Sequence, residues 1–170
     1  MLKACCTSYP NQSGSAAVYS LLEFMYEKEF GKPLPHIKKT PAGKPYFSGI
    51  QDIHFSLSHS RTHVLCAISD KPVGVDIESP RHISERALLF FYSPEESVHF
   101  EPLDLWVLKE SYIKLIGGNL LMARNIRFSR DGDTIITPDK LCISGLYHIG
   151  DCPVAISTFG DYLPNSVELI

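Results

Sequence analysis

The chain has 170 residues, enough for one domain or for two small halves sharing an interface, and 44% hydrophobic content is ample for a core. A net charge of −3 excludes a global basic field for nucleic acid, and no apolar run reaches the roughly 20 residues of a membrane span. Five cysteines (Cys5, Cys6, Cys66, Cys142, Cys152) are odd in number and lack zinc spacing, so they read as small core residues of a reducing, cytoplasmic protein; Met1–Cys6 leads into polar residues, not a secretory h-region.

Ala4 to Thr7 is expected as a short strand, with a turn at Tyr9-Pro10-Asn11. Ser13 to Phe30 reads as a helix, because Val18, Leu21, Leu22, Met25 and Tyr26 recur at helical spacing, with Gly31 as its C-cap. Residues 32–44 form a Pro- and Gly-punctuated loop without acids that carries Lys32, His36, Lys38, Lys39 and Lys44, followed by an extended Tyr46-Phe47. His54 to Ser58 alternates: Ile53, Phe55 and Leu57 face a core, and His54, Ser56 and Ser58 face away. Val64 to Ser69 and Val73 to Glu78 are strands linked by Asp70-Lys71-Pro72, which predicts a hairpin. Ser84 to Phe91 is helical, and Ser93-Pro94-Glu95-Glu96 opens another helix with a capping box. Leu103 to Ile116 is the strongest helix, stopped by Gly117-Gly118. Short strands follow at 125–128, 134–136, 142–148, 153–158 and 167–169. The order of elements gives an α+β class rather than a βαβ alternation.

Val73-Gly74-Val75-Asp76-Ile77-Glu78 is the most informative stretch. On a strand its valines and isoleucine share one face, and Asp76 and Glu78 share the other beside Gly74. Two adjacent carboxylates oppose each other's ionisation, so this face suits either open water or a hard cation with oxygen ligands. Glu110 and Lys114 lie one turn apart on the long helix, where, taken alone, a plain i,i+4 ion pair is the preferred account of them. Glu96 is explained as well by its capping box as by chemistry.

Four blocks in this order change the balance: Gly43-Lys44-Pro45, Phe55-Ser56-Leu57-Ser58-His59-Ser60, Val73 to Glu78, and Trp106-Val107-Leu108-Lys109-Glu110-Ser111-Tyr112-Ile113-Lys114. Together they resemble the 4′-phosphopantetheinyl transferases, in particular the larger two-halved type related to the surfactin-synthetase activator. The resemblance is strong from Gly43 to Lys114 and weak to Thr158, with Ser56 standing where the family often has Asn and Arg61 where it often has Gly. It implies a pseudo-dimeric α+β fold of two similar halves, 1–72 and 73–170, with the active site between them. It implies transfer of 4′-phosphopantetheine from coenzyme A to a serine of an acyl or peptidyl carrier protein, releasing adenosine 3′,5′-bisphosphate. By the same resemblance Asp76, Glu78 and Glu110 hold Mg²⁺ or Mn²⁺. Gly43, Lys44, Pro45, Ser58, His59 and Lys114 meet coenzyme A, and Glu110, Lys114 and Glu96 are the catalytic candidates. A monomer is expected, because two halves in one chain complete one site. The N-terminal half is short for the family, with Lys38, Lys39 or Arg61 as candidates for the 3′-phosphate. That leaves room for a non-catalytic remnant that binds coenzyme A or carrier, and a synthase restricted to fatty-acid carrier protein is the other alternative.

Overall fold

A computed structural model describes residues 1–9 and 13–170. The expected turn at Tyr9-Pro10-Asn11 falls largely outside the described residues. The elements are β1 (Leu2–Ser8), α1 (Gly14–Phe30), β2 (Ile37–Lys39), β3 (Pro45–Phe47), β4 (His54–His59), β5 (His63–Ser69) and β6 (Val73–Ile77). They continue with α2 (Glu85–Phe91), α3 (Pro94–Ser97), α4 (Pro102–Ile116), a 3₁₀ turn (Leu120–Arg124), β7 (Ser129–Asp131), β8 (Thr134–Ile136), β9 (Ile143–Ile149), β10 (Cys152–Thr158) and β11 (Glu168–Leu169). The class is α+β.

Side-chain alternation builds four layers. The first sheet has the order β11-β1-β5-β4 and the second β6-β10-β9. On one face of the first sheet, Cys5, Phe55, Val64, Cys66 and Ile68 pack against the apolar stripe of α1. On its other face, Leu2, Ala4, Cys6, Leu65 and Ala67 meet Val73, Val75, Ile77, Val154 and Ile156 of the second sheet. The far side of that second sheet is covered by α4, through Leu105, Leu108, Tyr112 and Leu115. The five cysteines are all buried and free.

The expected hairpin between Val64–Ser69 and Val73–Glu78 does not form. β5 is already paired on both edges, with β1 and β4, while β6 pairs with β10 from Val73↔Thr158 to Ile77↔Val154. Asp70-Lys71-Pro72 therefore carries the chain from one sheet to the next. The outer edge of β6 is covered by side chains instead of a strand. The amides of Val75 and Ile77 donate to Ser56 Oγ (3.0 Å) and Ser58 Oγ (3.4 Å), and Lys44 Nζ donates to the Val73 carbonyl (3.4 Å). Ser56 and Ser58 face away from the α1 core, as alternation requires, yet they are buried in this seam and not solvated.

Two other expectations are corrected. Residues 125–128 are not a strand. The chain first makes the 3₁₀ turn, capped by Asn119, whose side chain accepts from Leu121 N at 3.0 Å, and pairing begins only at Ser129. Part of the 32–44 loop is a strand, because β2 pairs with β3 around a turn in which Gly43 takes φ +88°.

Candidate active site

Gly74 fixes where α4 lies. A Cβ at this position would overlap the Ser111 carbonyl and the Leu115 amide nitrogen, so the helix backbone rests directly on the strand. That approach brings the polar stripe of α4 across Asp76 and Glu78. Trp106, Glu110 and Lys114 recur at i, i+4 and i+8 and therefore share one helical face.

Oxygens of Asp76, Glu78 and Glu110 come within 4.8 Å of one another. Asp76 is 3% exposed. Its Oδ1 accepts from Lys114 Nζ (2.6 Å) and Ser58 Oγ (2.7 Å), and Lys114 also reaches Ser58 Oγ at 2.9 Å. Its Oδ2 is buried without a partner among the described residues. Such an atom costs free energy unless something absent from the chain satisfies it. Burial raises the Asp76 carboxyl above its usual range, although Lys114 and Ser58 oppose the shift. Burial and the Asp76 charge push Glu110 up to about 7. Glu78 is held differently: Trp106 Nε1 donates to Oε1 (3.2 Å), and Arg81 donates through Nη2 to Oε1 (3.1 Å) and through Nε to Oε2 (3.3 Å). The i,i+4 pair expected between Glu110 and Lys114 gives way to the Lys114–Asp76 pair.

The remaining candidates lie around this group at different depths. A cleft of about 230 Å³ opens beside Lys114, lined by Gly43, Lys44, Pro45, Ser56, Leu57, Ile113, Gly117 and Gly118 among others. Lys44 contributes its stem to this wall, while its ammonium turns to the carbonyls of Leu115 (2.8 Å) and Val73, and burial lowers it to about 8. His59 is exposed at the end of β4, against Gly14 in the first turn of α1. Lys38 and Lys39 are exposed on β2, and Arg61 donates to the Pro80 carbonyl at 2.6 Å.

Glu96 stands apart from the three carboxylates. It completes the capping box of α3, and it also accepts from Lys109 Nζ (2.9 Å) and the Phe128 amide (3.1 Å). Lys109 is fully buried and caps the carbonyls of Phe91 and Ala123 as well, so burial lowers its ammonium while Glu96 opposes the shift. Sequence reasoning gave no role to Trp106, Arg81 or Ser56. The i, i+4, i+8 series from Trp106 was the available signal for the first; Ser56 sat on the strand face turned away from the core, and Arg81 carried no pattern.

The chain is similar in sequence to several curated proteins. It is 34% identical over 107 aligned positions to a 4′-phosphopantetheinyl transferase of Bacillus subtilis, covering 55% of this chain and 48% of that protein. It is 37% identical over 98 positions to the transferase gsp of Aneurinibacillus migulanus, covering 52% and 40%. Over about half of its length the chain is similar to 4′-phosphopantetheinyl transferases. A putative 4′-phosphopantetheinyl transferase of Haemophilus influenzae aligns over 169 positions at 28% identity, covering 87% of this chain and 71% of the relative. No family model matches. The chain spans about half the length of the Bacillus and Aneurinibacillus transferases it matches.

Proposed function

We propose that the chain transfers 4′-phosphopantetheine from coenzyme A to a serine hydroxyl of an apo acyl or peptidyl carrier protein, releasing adenosine 3′,5′-bisphosphate. The observation that carries this reading is the cluster of Asp76, Glu78 and Glu110, whose Asp76 carries a buried, unpartnered Oδ2, beside a cleft with Lys114 on its wall. An all-oxygen donor set around an orphaned carboxylate oxygen fits a hard divalent cation, Mg²⁺ in the first instance and Mn²⁺ as a substitute. Asp76, Glu78 and Glu110 would hold it, and when bound it supplies positive charge to pyrophosphate oxygens.

The chain's own residues account for the rest. Lys114, already poised between Asp76 and Ser58, offers its ammonium to a phosphate oxygen, and Ser58 adds a hydroxyl donor. His59, exposed at the end of β4, is kept as a further phosphate candidate. Gly43, Lys44 and Pro45 shape the wall against which coenzyme A lies, and Lys44 fixes that wall by tying β3 to the end of α4 and to β6. Glu110 accepts the proton of the attacking serine. That oxygen then bonds to the β-phosphorus as the P–O bond to adenosine bisphosphate breaks. Little covalent help is needed, and positioning with charge stabilisation does most of the work. Glu96 is best read as a structural partner of Lys109.

We read residues 1–72 and 73–170 as the two halves, a division supported by the passage from one sheet to the other at Pro72. A single chain then completes one site as a monomer in the cytoplasm. Among the described residues no helix is long and apolar enough to cross a membrane. Incubation with coenzyme A, Mg²⁺ and several apo carrier proteins, followed by carrier mass, tests the reading. The expected result is a gain of one phosphopantetheine on at least one carrier; no gain on any carrier overturns it.

A further inference from the structure

The three carboxylates are not equally available. Asp76 keeps Oδ2 free, and Glu110 has no hydrogen-bond partner among the described residues, but both oxygens of Glu78 are taken. Arg81 grips them from two nitrogens, and Trp106 Nε1 also donates to Oε1. These two partners differ in kind. Trp106 is on α4, packed against Phe91 with ring centroids 4.8 Å apart, and is fixed by the helix. Arg81 is in the segment after β6, outside any helix or strand, with its side chain 41% exposed.

We infer that Arg81 is a built-in competitor for the cation at Glu78, and that Trp106 is the positioning residue that keeps Glu78 aimed when the arginine leaves. The inference rests on the metal-site reading above. A carboxylate cannot give both oxygens to a guanidinium and also ligate a cation at full strength, so loading the site requires Arg81 to swing outward. Its exposure and its position in a loop allow this, and water can solvate the freed guanidinium. The indole N–H donates to one lone pair of Oε1 and leaves Oε2 for the cation. Without that donor, the departing arginine would also release the rotamer of Glu78. Arg81 thus offsets part of the like-charge repulsion in the cation-free protein and raises the cation concentration needed for loading.

The test is Mn²⁺ binding to the full chain without coenzyme A, read from the electron paramagnetic resonance signal of free Mn²⁺. Trp106 is the chain's single tryptophan, so its emission during a parallel Mg²⁺ titration reports on Glu78 directly. Arg81→Ala and Arg81→Gln are each expected to tighten Mn²⁺ about two- to fivefold, the range spanned by an ion pair of this exposure. Arg86→Ala removes an equal charge from α2, outside any ion pair found among the described residues, and is expected to leave affinity unchanged. The emission of Trp106 should change at the loading midpoint, and that midpoint should move with Arg81→Ala. If wild type binds Mn²⁺ and the Arg81 variants bind no tighter, Arg81 is a strut and the inference fails while the metal site stands. Equal tightening by Arg86→Ala would reduce the effect to general charge and also overturns it. If neither wild type nor variant binds, and Glu110→Gln behaves as wild type, the metal-site reading itself falls, and this inference falls with it.

Discussion

Lys109 is wholly buried, yet it keeps three oxygen contacts within reach of one ammonium: the Phe91 and Ala123 carbonyls and the carboxylate of Glu96, which in turn caps Ser93 N and Phe128 N. Desolvation makes such a pair poor value as a source of net stability, but removing one member leaves a buried charge unmatched. Lys109→Met should therefore destabilise the fold by about 3–5 kcal/mol, whereas the double variant Lys109→Met/Glu96→Leu should recover much of that loss. Urea denaturation of the two variants measures the difference, and equal losses in both would remove the pair from this account. Glu96→Gln keeps the capping box and should leave the transfer rate within a factor of about three of wild type below its melting temperature, since capping needs only the carbonyl oxygen. A fall of a hundredfold with the fold intact would instead put Glu96 at the reaction.

At the scale of elements, the packing of α4 on β6 decides whether there is a site at all. Gly74→Ala would drive a methyl group into the helix backbone at Ser111 and Leu115, which cannot yield as a flexible side chain does. We expect a loss of at least about 1–3 kcal/mol, as overpacking generally costs, with transfer and Mn²⁺ binding falling further than stability. A variant with normal cation affinity would mean that helix and strand are not held at this distance. The alternation of Val73, Val75 and Ile77 against Asp76 and Glu78 was legible from sequence, because period two is a local property. So were the limits of α1 and α4, each closed by a left-handed glycine. The hairpin between β5 and β6 was misread, because strand partnership is not local. β5 is claimed by β1 and β4 from elsewhere in the chain, and no feature of Asp70-Lys71-Pro72 announces that. The same non-locality hid Ser56 and Ser58, whose polar face turned out to dress the edge of β6, and the partner of Lys109, which lies 13 residues away on α3.

The molecule is layered as α1, first sheet, second sheet and α4, and the three carboxylates sit in the seam that joins β6 to α4 beside the edge of β4. Their repulsion acts across that seam, so it loads the whole stack. In the folded chain burial and the Asp76 charge push the Glu110 carboxyl up to about 7 from its ordinary 4.5, and burial raises Asp76 as well. Between those two values the folded state holds a proton that the unfolded state has lost. This contribution is therefore fully present at low pH and disappears as pH rises from about 4.5 through about 7, a difference of up to about 3 kcal/mol for Glu110. A divalent cation removes the same repulsion without a proton. Mg²⁺ should accordingly raise the melting temperature at pH 8, where the carboxylates are ionised, and raise it much less at pH 5.5, where a proton already occupies Glu110. Glu110→Gln should flatten both the pH dependence and the Mg²⁺ response. Thermal denaturation of wild type and Glu110→Gln at the two pH values, with and without Mg²⁺, measures all of this. An equal Mg²⁺ shift at both pH values, or one that survives in Glu110→Gln, would separate cation binding from the α4–β6 seam and would require its ligands to be sought elsewhere on the chain.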